Sequence, residues 1–417
     1  MALLSKFDDM RAALQALAAG GRNPFDVRFE EILSATEAVL EGRPCLLFGT
    51  NNYLGLTFDE SCIAASMNSV RAGGTGTTGS RIANGTYSDH VLLERRIAEF
   101  YGKRAAMIFT TGYQANLGLI STLAGRDDHL LIDADSHASI YDACKLSAAE
   151  VIRFRHNDAE DLAKRLRRLK GGAGHCIIVT EGVFSMLGDS GKLREIAAVK
   201  REMGATLIVD EAHSLGTRGK HGRGVCEDLG VESEVDFVVG TFSKSLGAIG
   251  GFAVSDLPDF DLLRIACRPY MFTASLPPAV VGSVTAALAR ISTDASLGER
   301  VRQSSGKLYR SLAQEGFAVG PEPNAIVALK MPDKETAVRF WSRLLDEGVY
   351  ANLALPPATP GSLSLIRCSI SAAHSDAQIA TALSIMIAVG RELGILDPEP
   401  KKTLAETPAG TPARVPA

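Results

Sequence analysis

The sequence predicts an α/β protein built on a mainly parallel sheet, followed by a smaller α+β unit. Three observations carry that expectation. Short apolar runs at 105–109, 129–133, 150–154, 176–180, 205–209, 236–240 and 250–254 alternate with stretches of helical spacing, the pattern of a sheet wrapped by helices. Runs such as Leu207, Ile208 and Val209 are apolar at consecutive positions, as in strands covered on both faces. Beyond Gly251 the period changes: 277–292 and 297–315 read as helices, 325–330 as a strand, 334–348 as a helix, 362–370 as a strand and 374–393 as a helix.

With 417 residues, 46% of them apolar and 40 glycine, the chain can bury one large core and a smaller one. The boundaries read as an N-terminal helix and arm over 1–45, a large α/β domain over 46–290, a small α+β domain over 291–396 and a disordered tail over 397–417 rich in Pro, Ala, Thr and Lys. Leu3, Phe7, Met10, Leu14 and Leu17 recur at helical spacing over 3–18 and stop at Gly20 and Gly21, so this amphipathic helix must dock on something. Apolar stretches at 38–40 and 45–48 read as strands leading into GTNNYLGL at 49–56, where Asn51, Asn52 and Tyr53 crowd polar groups into a turn.

The glycine-rich stretch GGTGTTGSRIANGT at 73–86 has the glycine separation of a nucleotide-phosphate loop. Ser80 stands where that loop needs lysine, and no apolar strand precedes it, so the reading is rejected. A net charge of −4 argues against nucleic acid. The densest basic run, KRLRRLK at 164–170, fits the solvated face of a helix whose stripe is Leu162, Leu166 and Leu169; a docking face for an acyl carrier is the sharper alternative. Seven scattered cysteines with no CxxC pair imply reduced thiols in a cytoplasmic protein, with no metal site and no disulfide frame. No basic stretch followed by an apolar one opens the sequence, so no signal peptide is expected, and the uncharged window 269–289 contains three prolines, so a loop entering a buried helix is expected there and not a membrane span.

Right-handed crossovers bring the loops after parallel strands to one edge. Five of these loops carry unusual chemistry. TTGYQAN at 110–116 sets Gly112 and Tyr113 at a helix start, whose free backbone N–H groups suit a phosphate. DADSHASIYD at 133–142 offers His137 between small residues that let a flat ring lie against another, and EGVFSMLGD at 181–189 offers Glu181 and Ser185. ATLIVDEAHSLG at 205–216 ends a buried strand in Asp210, with His213 three residues on. DFVVGTFSKSLGAIGG at 236–251 sets Lys244 among Thr241, Ser243 and glycines, a niche that lowers an amine's pKa and frees it for a Schiff base. A lysine for a carbonyl, an aspartate for a pyridinium nitrogen and a histidine for a ring hydroxyl are together what pyridoxal phosphate requires of a protein. In the C-terminal part, Arg367 lies in a strand with apolar neighbours, so its guanidinium must find an anion or water.

VDEAHSLG followed by GTFSKSLGAIGG is similar to the α-oxoamine synthases, fold-type I pyridoxal phosphate enzymes that condense an amino acid with an acyl thioester. RPYMFTASLPP at 268–278 and PPATPGSLSLIRCS at 356–369 resemble their soluble bacterial serine palmitoyltransferase branch most closely, and the resemblance covers roughly residues 40–395. Tyr87 stands where relatives using other amino acids often carry histidine, which also fits the serine branch. The resemblance implies Lys244, His137, Asp210 and His213 as the catalytic set, with His137 stacked on the cofactor ring. It implies further cofactor contacts from Gly112, Tyr113, Ser185, Thr241 and Ser243, and from Thr273 of the partner subunit in an obligate homodimer. Asn52 and Tyr53 would line the substrate side, and Arg367 would bind the substrate carboxylate, a structural salt bridge being its alternative. The implied reaction is a decarboxylative Claisen condensation of L-serine with a long-chain acyl thioester, on coenzyme A or a carrier protein, giving 3-ketodihydrosphingosine as the first step of sphingolipid synthesis. Sister enzymes using alanine or glycine share the four catalytic residues and are the rival reading, and an inactive regulatory subunit is a rival that those four residues speak against. Peripheral contact with a membrane surface stays open.

Overall fold

The computed structural model describes residues 3–19 and 22–397. The expected helix stop at Gly20 and Gly21 and the expected tail from Pro398 lie outside the described residues. At the N-terminus a 3-10 turn, Leu3–Phe7, runs into a helix, Asp8–Ala19, on which Leu3, Phe7, Met10 and Leu14 are exposed. Three short strands come next, β1 (Glu31–Ile32), β2 (Glu37–Leu40) and β3 (Arg43–Leu47).

Each of the seven apolar runs forms a strand of one sheet: β4 (Ala105–Phe109), β5 (His129–Asp133), β6 (Glu150–Phe154), β7 (Cys176–Glu181), β8 (Thr206–Asp210), β9 (Phe237–Thr241) and β10 (Gly251–Ser255). Their order is β4-β10-β9-β8-β7-β5-β6, all parallel except β10, which runs against both β4 and β9. The carboxyl ends of β4, β5, β7, β8 and β9 therefore share one edge, and their loops face each other. Apolar clusters cover both faces of the sheet, one around Leu207, Val209 and Phe252, the other around Ile208, Val239 and Ala253. Adjacent strand residues thus bury to opposite sides, the reason the runs are continuous. Helix Ala159–Leu169 buries Leu162 and Leu166 and turns Lys164, Arg167 and Arg168 to solvent, as expected of KRLRRLK.

Helix Pro278–Thr293, which holds most of the uncharged window, packs against helix Glu60–Gly73. A Cβ at Gly282 would come within 2.7 Å of Ala65 O, so this crossing needs glycine. Among the described residues no helix is long and apolar enough to cross a membrane.

The C-terminal part carries β11 (Ile326–Met331), β12 (Val349–Tyr350), β13 (Asn352–Ala354) and β14 (Ser364–Ser369). β11, β14 and β13 form an antiparallel sheet, while β12 joins β3 in parallel. Residues from both ends of the chain thus share a sheet, and Phe48 belongs to the same buried cluster as Trp341, Leu308 and Val349.

Candidate active site

Lys244 lies just past the end of β9, in the turn that returns through Gly250 to β10. Thr241 Oγ1 anchors the turn: it is 2.8 Å from Ser243 Oγ and donates to Gly250 O at 2.9 Å. Lys244 Nζ has no hydrogen bond or ion pair among the described residues. Burial brings its pKa down to about 8, against the pull of Asp210 and Glu181 and with help from Arg367. At mildly alkaline pH much of this amine is a free nucleophile.

Asp210, at the end of β8, is the register partner of Glu181 at the end of β7. Its Oδ1 accepts the Ala212 N–H at 2.9 Å and its Oδ2 accepts Asn116 Nδ2 at 2.6 Å. Glu181 accepts the His137 backbone N–H, and burial, reinforced by the charge of Asp210, holds its carboxyl well above the usual carboxylate range. His137 caps the helix Ala138–Leu146, its Nδ1 accepting the Ser139 N–H at 3.2 Å, and burial lowers its pKa together with the charge of Lys244, Asp210 opposing. These residues line a cavity of about 230 Å³ whose far wall is the start of helix Gly112–Leu123, with Thr111, Thr241 and Ser243 beside it. Thr111 Oγ1 caps Gln114 N at 3.0 Å, so the amides of Gly112 and Tyr113 lack acceptors within their own helix.

On the other side His213 Nδ1 is 2.7 Å from the buried Tyr53 hydroxyl. Burial and the charges of Lys244 and Arg367 hold His213 well below the usual histidine range, so its ring is neutral. Arg367, in β14, donates from Nη2 to Tyr53 Oη at 3.3 Å and Asn51 Oδ1 at 3.1 Å, and from Nε to Ser185 O at 2.7 Å. All three acceptors are neutral, and no carboxylate pairs with this buried guanidinium among the described residues. A charge held this way lacks its counter-ion, which an anionic substrate would supply.

The structure thus gathers Lys244, Asp210, His137, His213, Gly112, Tyr113, Thr241 and Ser243 around one cavity. Tyr53 and Arg367 attach to it through His213. Ser185 contributes a backbone carbonyl to Arg367. Asn52 donates to Thr57 Oγ1 at 2.7 Å, and it is its neighbour Asn51 that meets Arg367 and Tyr53. Thr273 lies elsewhere, in a narrow cleft with Arg81, His90 and Tyr270. Sequence reasoning picked out the stretches TTGYQAN and DADSHASIYD but not Asn116 or Ser139 within them, whose polar ends turn inward from near the starts of their helices.

The profile of the family described as aminotransferase class I and II matches residues 43–386. The chain belongs to that family. Within it the chain is 59% identical over 398 residues to a serine palmitoyltransferase of Caulobacter vibrioides, covering 95% of this chain and 98% of the relative. It is 49% identical over 397 residues to that of Sphingomonas paucimobilis, covering 94% of each, and 39% identical over 363 residues to an 8-amino-7-oxononanoate synthase of Geobacter metallireducens, covering 87% and 93%. Among solved structures, the Sphingomonas paucimobilis serine palmitoyltransferase with a bound PLP–myriocin aldimine superposes with a TM-score of 0.93 at 49% identity, covering 95% of this chain and all of that one. The fold is the fold-type I architecture of these pyridoxal phosphate enzymes.

The residues present fit that cofactor. An unpaired amine, a buried carboxylate and a helix start with free amides face one cavity, and each matches a different end of pyridoxal phosphate. At Gly112 a Cβ would stand 2.8 Å from Thr241 Cβ and 2.9 Å from its Oγ1, so only glycine lets the helix start approach the Thr241 hydroxyl this closely.

Proposed function

We propose that this family member condenses L-serine with a long-chain acyl thioester, releasing carbon dioxide and the free thiol and giving a 3-keto sphingoid base. The observation that carries the reading is the near-full-length identity of 59% and 49% to two serine palmitoyltransferases, against 39% for the oxononanoate synthase relative.

Pyridoxal phosphate, when bound, supplies a sink for the negative charge that develops at the amino acid's α-carbon. Lys244 takes the α-proton: an amine with a pKa of about 8 is neutral often enough to accept it and acidic enough to return it. Asp210 would hold a proton on the ring nitrogen by its charge, and its hydrogen bonds from Ala212 and Asn116 fix the carboxylate plane. His137 would present its ring face to the cofactor, and neutral His213, anchored through Nδ1 to Tyr53, would offer its other nitrogen to the ring hydroxyl. Arg367 receives the serine carboxylate, the counter-ion its setting lacks, and holds it until it leaves as carbon dioxide. Gly112, Tyr113, Thr241 and Ser243 would hold the phosphate.

The working unit is a homodimer in which Thr273 of each chain serves the partner's phosphate site. Supporting this, the segment beside Thr273 exposes apolar side chains, Leu262 at 60%, Ile265 at 68% and Phe272 at 69%, and the N-terminal helix exposes more. The reaction is assigned to the cytoplasm, where seven unpaired cysteines, six of them buried, stay reduced.

The test is an assay of purified protein against serine, alanine and glycine with acyl thioesters of graded length, on coenzyme A and on a carrier protein. Serine with a long chain should win. Equal efficiency with alanine or glycine overturns the serine assignment.

A further inference from the structure

Asn116 and Ser139 are both buried, and neither hydrogen-bonds to Lys244. Asn116 directs both its N–H bonds inside the site: Nδ2 reaches Asp210 Oδ2 at 2.6 Å and Ser139 Oγ at 3.0 Å. Its own Oδ1 is buried without a partner. A buried acceptor left unmet is costly, so the amide is held by its nitrogen end. Turned over, it would set Oδ1 against the Asp210 carboxylate. Ser139 Oγ, already accepting from Asn116, has one proton to give, and His137 Nδ1 lies 2.8 Å away. That nitrogen also accepts the Ser139 backbone N–H, which can only donate. Nδ1 therefore carries no proton, and the proton of the neutral ring sits on Nε2.

We propose that Asn116 and Ser139 are positioning residues that form a one-way hydrogen-bond bridge from Asp210 to His137, so that the charge of Asp210 fixes the tautomer and tilt of the His137 ring. The direction is unique. The carboxylate orients the amide, the amide orients the hydroxyl, and the hydroxyl orients the imidazole. The bridge thereby keeps the ring that would lie on the cofactor neutral and in register with the carboxylate that would hold the cofactor's nitrogen. The other groups facing His137 are Lys244, His213, the carboxyl of Glu181 on its backbone N–H, and the Tyr113 ring, whose hydroxyl is bonded to Asp142. None of them reaches Nδ1.

The inference rests on the cofactor reading for its purpose, but its central readout does not need the cofactor. In the cofactor-free chain, His137 is titrated through its imidazole resonances, assigned with a His137→Gln variant. Separately, the dissociation constant of pyridoxal phosphate is measured by fluorescence. Ser139→Ala should raise the His137 midpoint by about one pH unit, the size of one lost hydrogen bond, and change cofactor affinity less than about twofold. Asn116→Ala should raise the midpoint as much and also weaken the cofactor about tenfold, because Asp210 loses a donor. Ser139→Thr, which keeps the hydroxyl, should restore the midpoint. If Asn116→Ala fails to fold, Asn116→Ser, too short to touch both partners, carries the same expectations. An unchanged midpoint in both the serine and asparagine variants overturns the proposal. So does a Ser139→Ala that weakens the cofactor as much as Asn116→Ala, since the pair would then act as packing alone. A wild type that binds no pyridoxal phosphate would sink the functional reading and leave the His137 midpoints to decide this one.

Discussion

Glu181 and Asp210 are direct register partners at the ends of β7 and β8, so two carboxyl groups stand side by side in one buried site. Two adjacent buried charges would repel strongly, and burial, with Asp210's charge added, answers this by holding the Glu181 carboxyl well above the usual carboxylate range. A carboxyl raised on folding binds more protons folded than unfolded above its ordinary pKa. It therefore costs stability progressively as pH rises from that value towards the folded one.

Glu181→Gln removes that liability. Turnover should stay within about threefold, while stability relative to wild type should grow as pH rises above the ordinary carboxylate range, by up to about 1.4 kcal/mol per pH unit. Denaturant unfolding of the cofactor-free protein at several pH values measures it. A gap that shrinks with rising pH would show that Glu181 is ionised in the folded state.

Lys244 should set the pH dependence of cofactor capture. Only the neutral amine attacks an aldehyde, so the uptake rate of pyridoxal phosphate should climb with pH and level off above about 8, where burial has brought this amine. Lys244→Ala should fold normally, lose the visible absorbance of a lysine Schiff base, and turn over no serine. Activity near wild type in that variant would remove the lysine from the mechanism.

Asp210→Asn should still take up pyridoxal phosphate, since Lys244 and the helix start are untouched, but a neutral amide cannot hold a proton on the ring nitrogen. A loss of roughly two pKa units there is about 2.7 kcal/mol, or about a hundredfold in the rate of deuterium exchange at the serine α-carbon. Exchange at the normal rate would show that this carboxylate does not stabilise the developing charge.

The sheet and the charged site residues were legible because burial on both faces forces unbroken apolar runs, and because parallel strands deliver their carboxyl-end loops to one edge. The polar bridge was not. In TTGYQAN no local preference says that Asn116 and not Gln114 turns inward; the answer depends on Asp210, 94 residues away in the chain. Asn51 and Asn52 are adjacent, and the turn in which Tyr53 N bonds Asn51 O sends the first towards Arg367 and the second towards Thr57. His156 shows the same limit. As a lone sequence position it reads as a surface or capping residue, yet it is clamped between Asp133 at 2.9 Å and Asp189 at 2.8 Å; burial opposes its charge, but the two acids raise it to about 10. Its partners come from the end of β5 and from the loop after β7, which only the assembled sheet brings together.

Arg367→Ala should raise KM for serine, alanine and glycine alike. The loss of a charge-assisted contact is worth about 1.5–3 kcal/mol, or roughly 10- to 150-fold, because the carboxylate is common to all three substrates. The preference for serine should barely move, since a hydroxyl contact discriminates and a carboxylate contact does not. A variant that lost selectivity while keeping its KM would place Arg367 at the side chain of the substrate and not at its carboxylate.

Thr273 stands apart from its own chain's cavity, in a segment that is held rigidly. Buried Glu94 takes Arg81 in two bonds of 2.8 and 3.0 Å, Arg264 bonds both its oxygens and also Tyr270 Oη, and Ser275 N donates to Gly79 O at 2.9 Å. Rigid support beneath such a threonine, next to exposed Phe272 and Ile265, suits a group that completes a site on another copy. A Lys244→Ala chain lacks the amine, and a Thr273→Ala chain lacks the threonine. In a mixed dimer one site has lost both and the other has lost neither. An equal mixture should therefore recover about a quarter of wild-type activity at limiting cofactor, since half of random dimers are mixed and each holds one intact site of two. Sites complete within one chain would give no such gain: the threonine variant would keep its own level, the lysine variant would stay dead, and verified heterodimers would show only the average of the two.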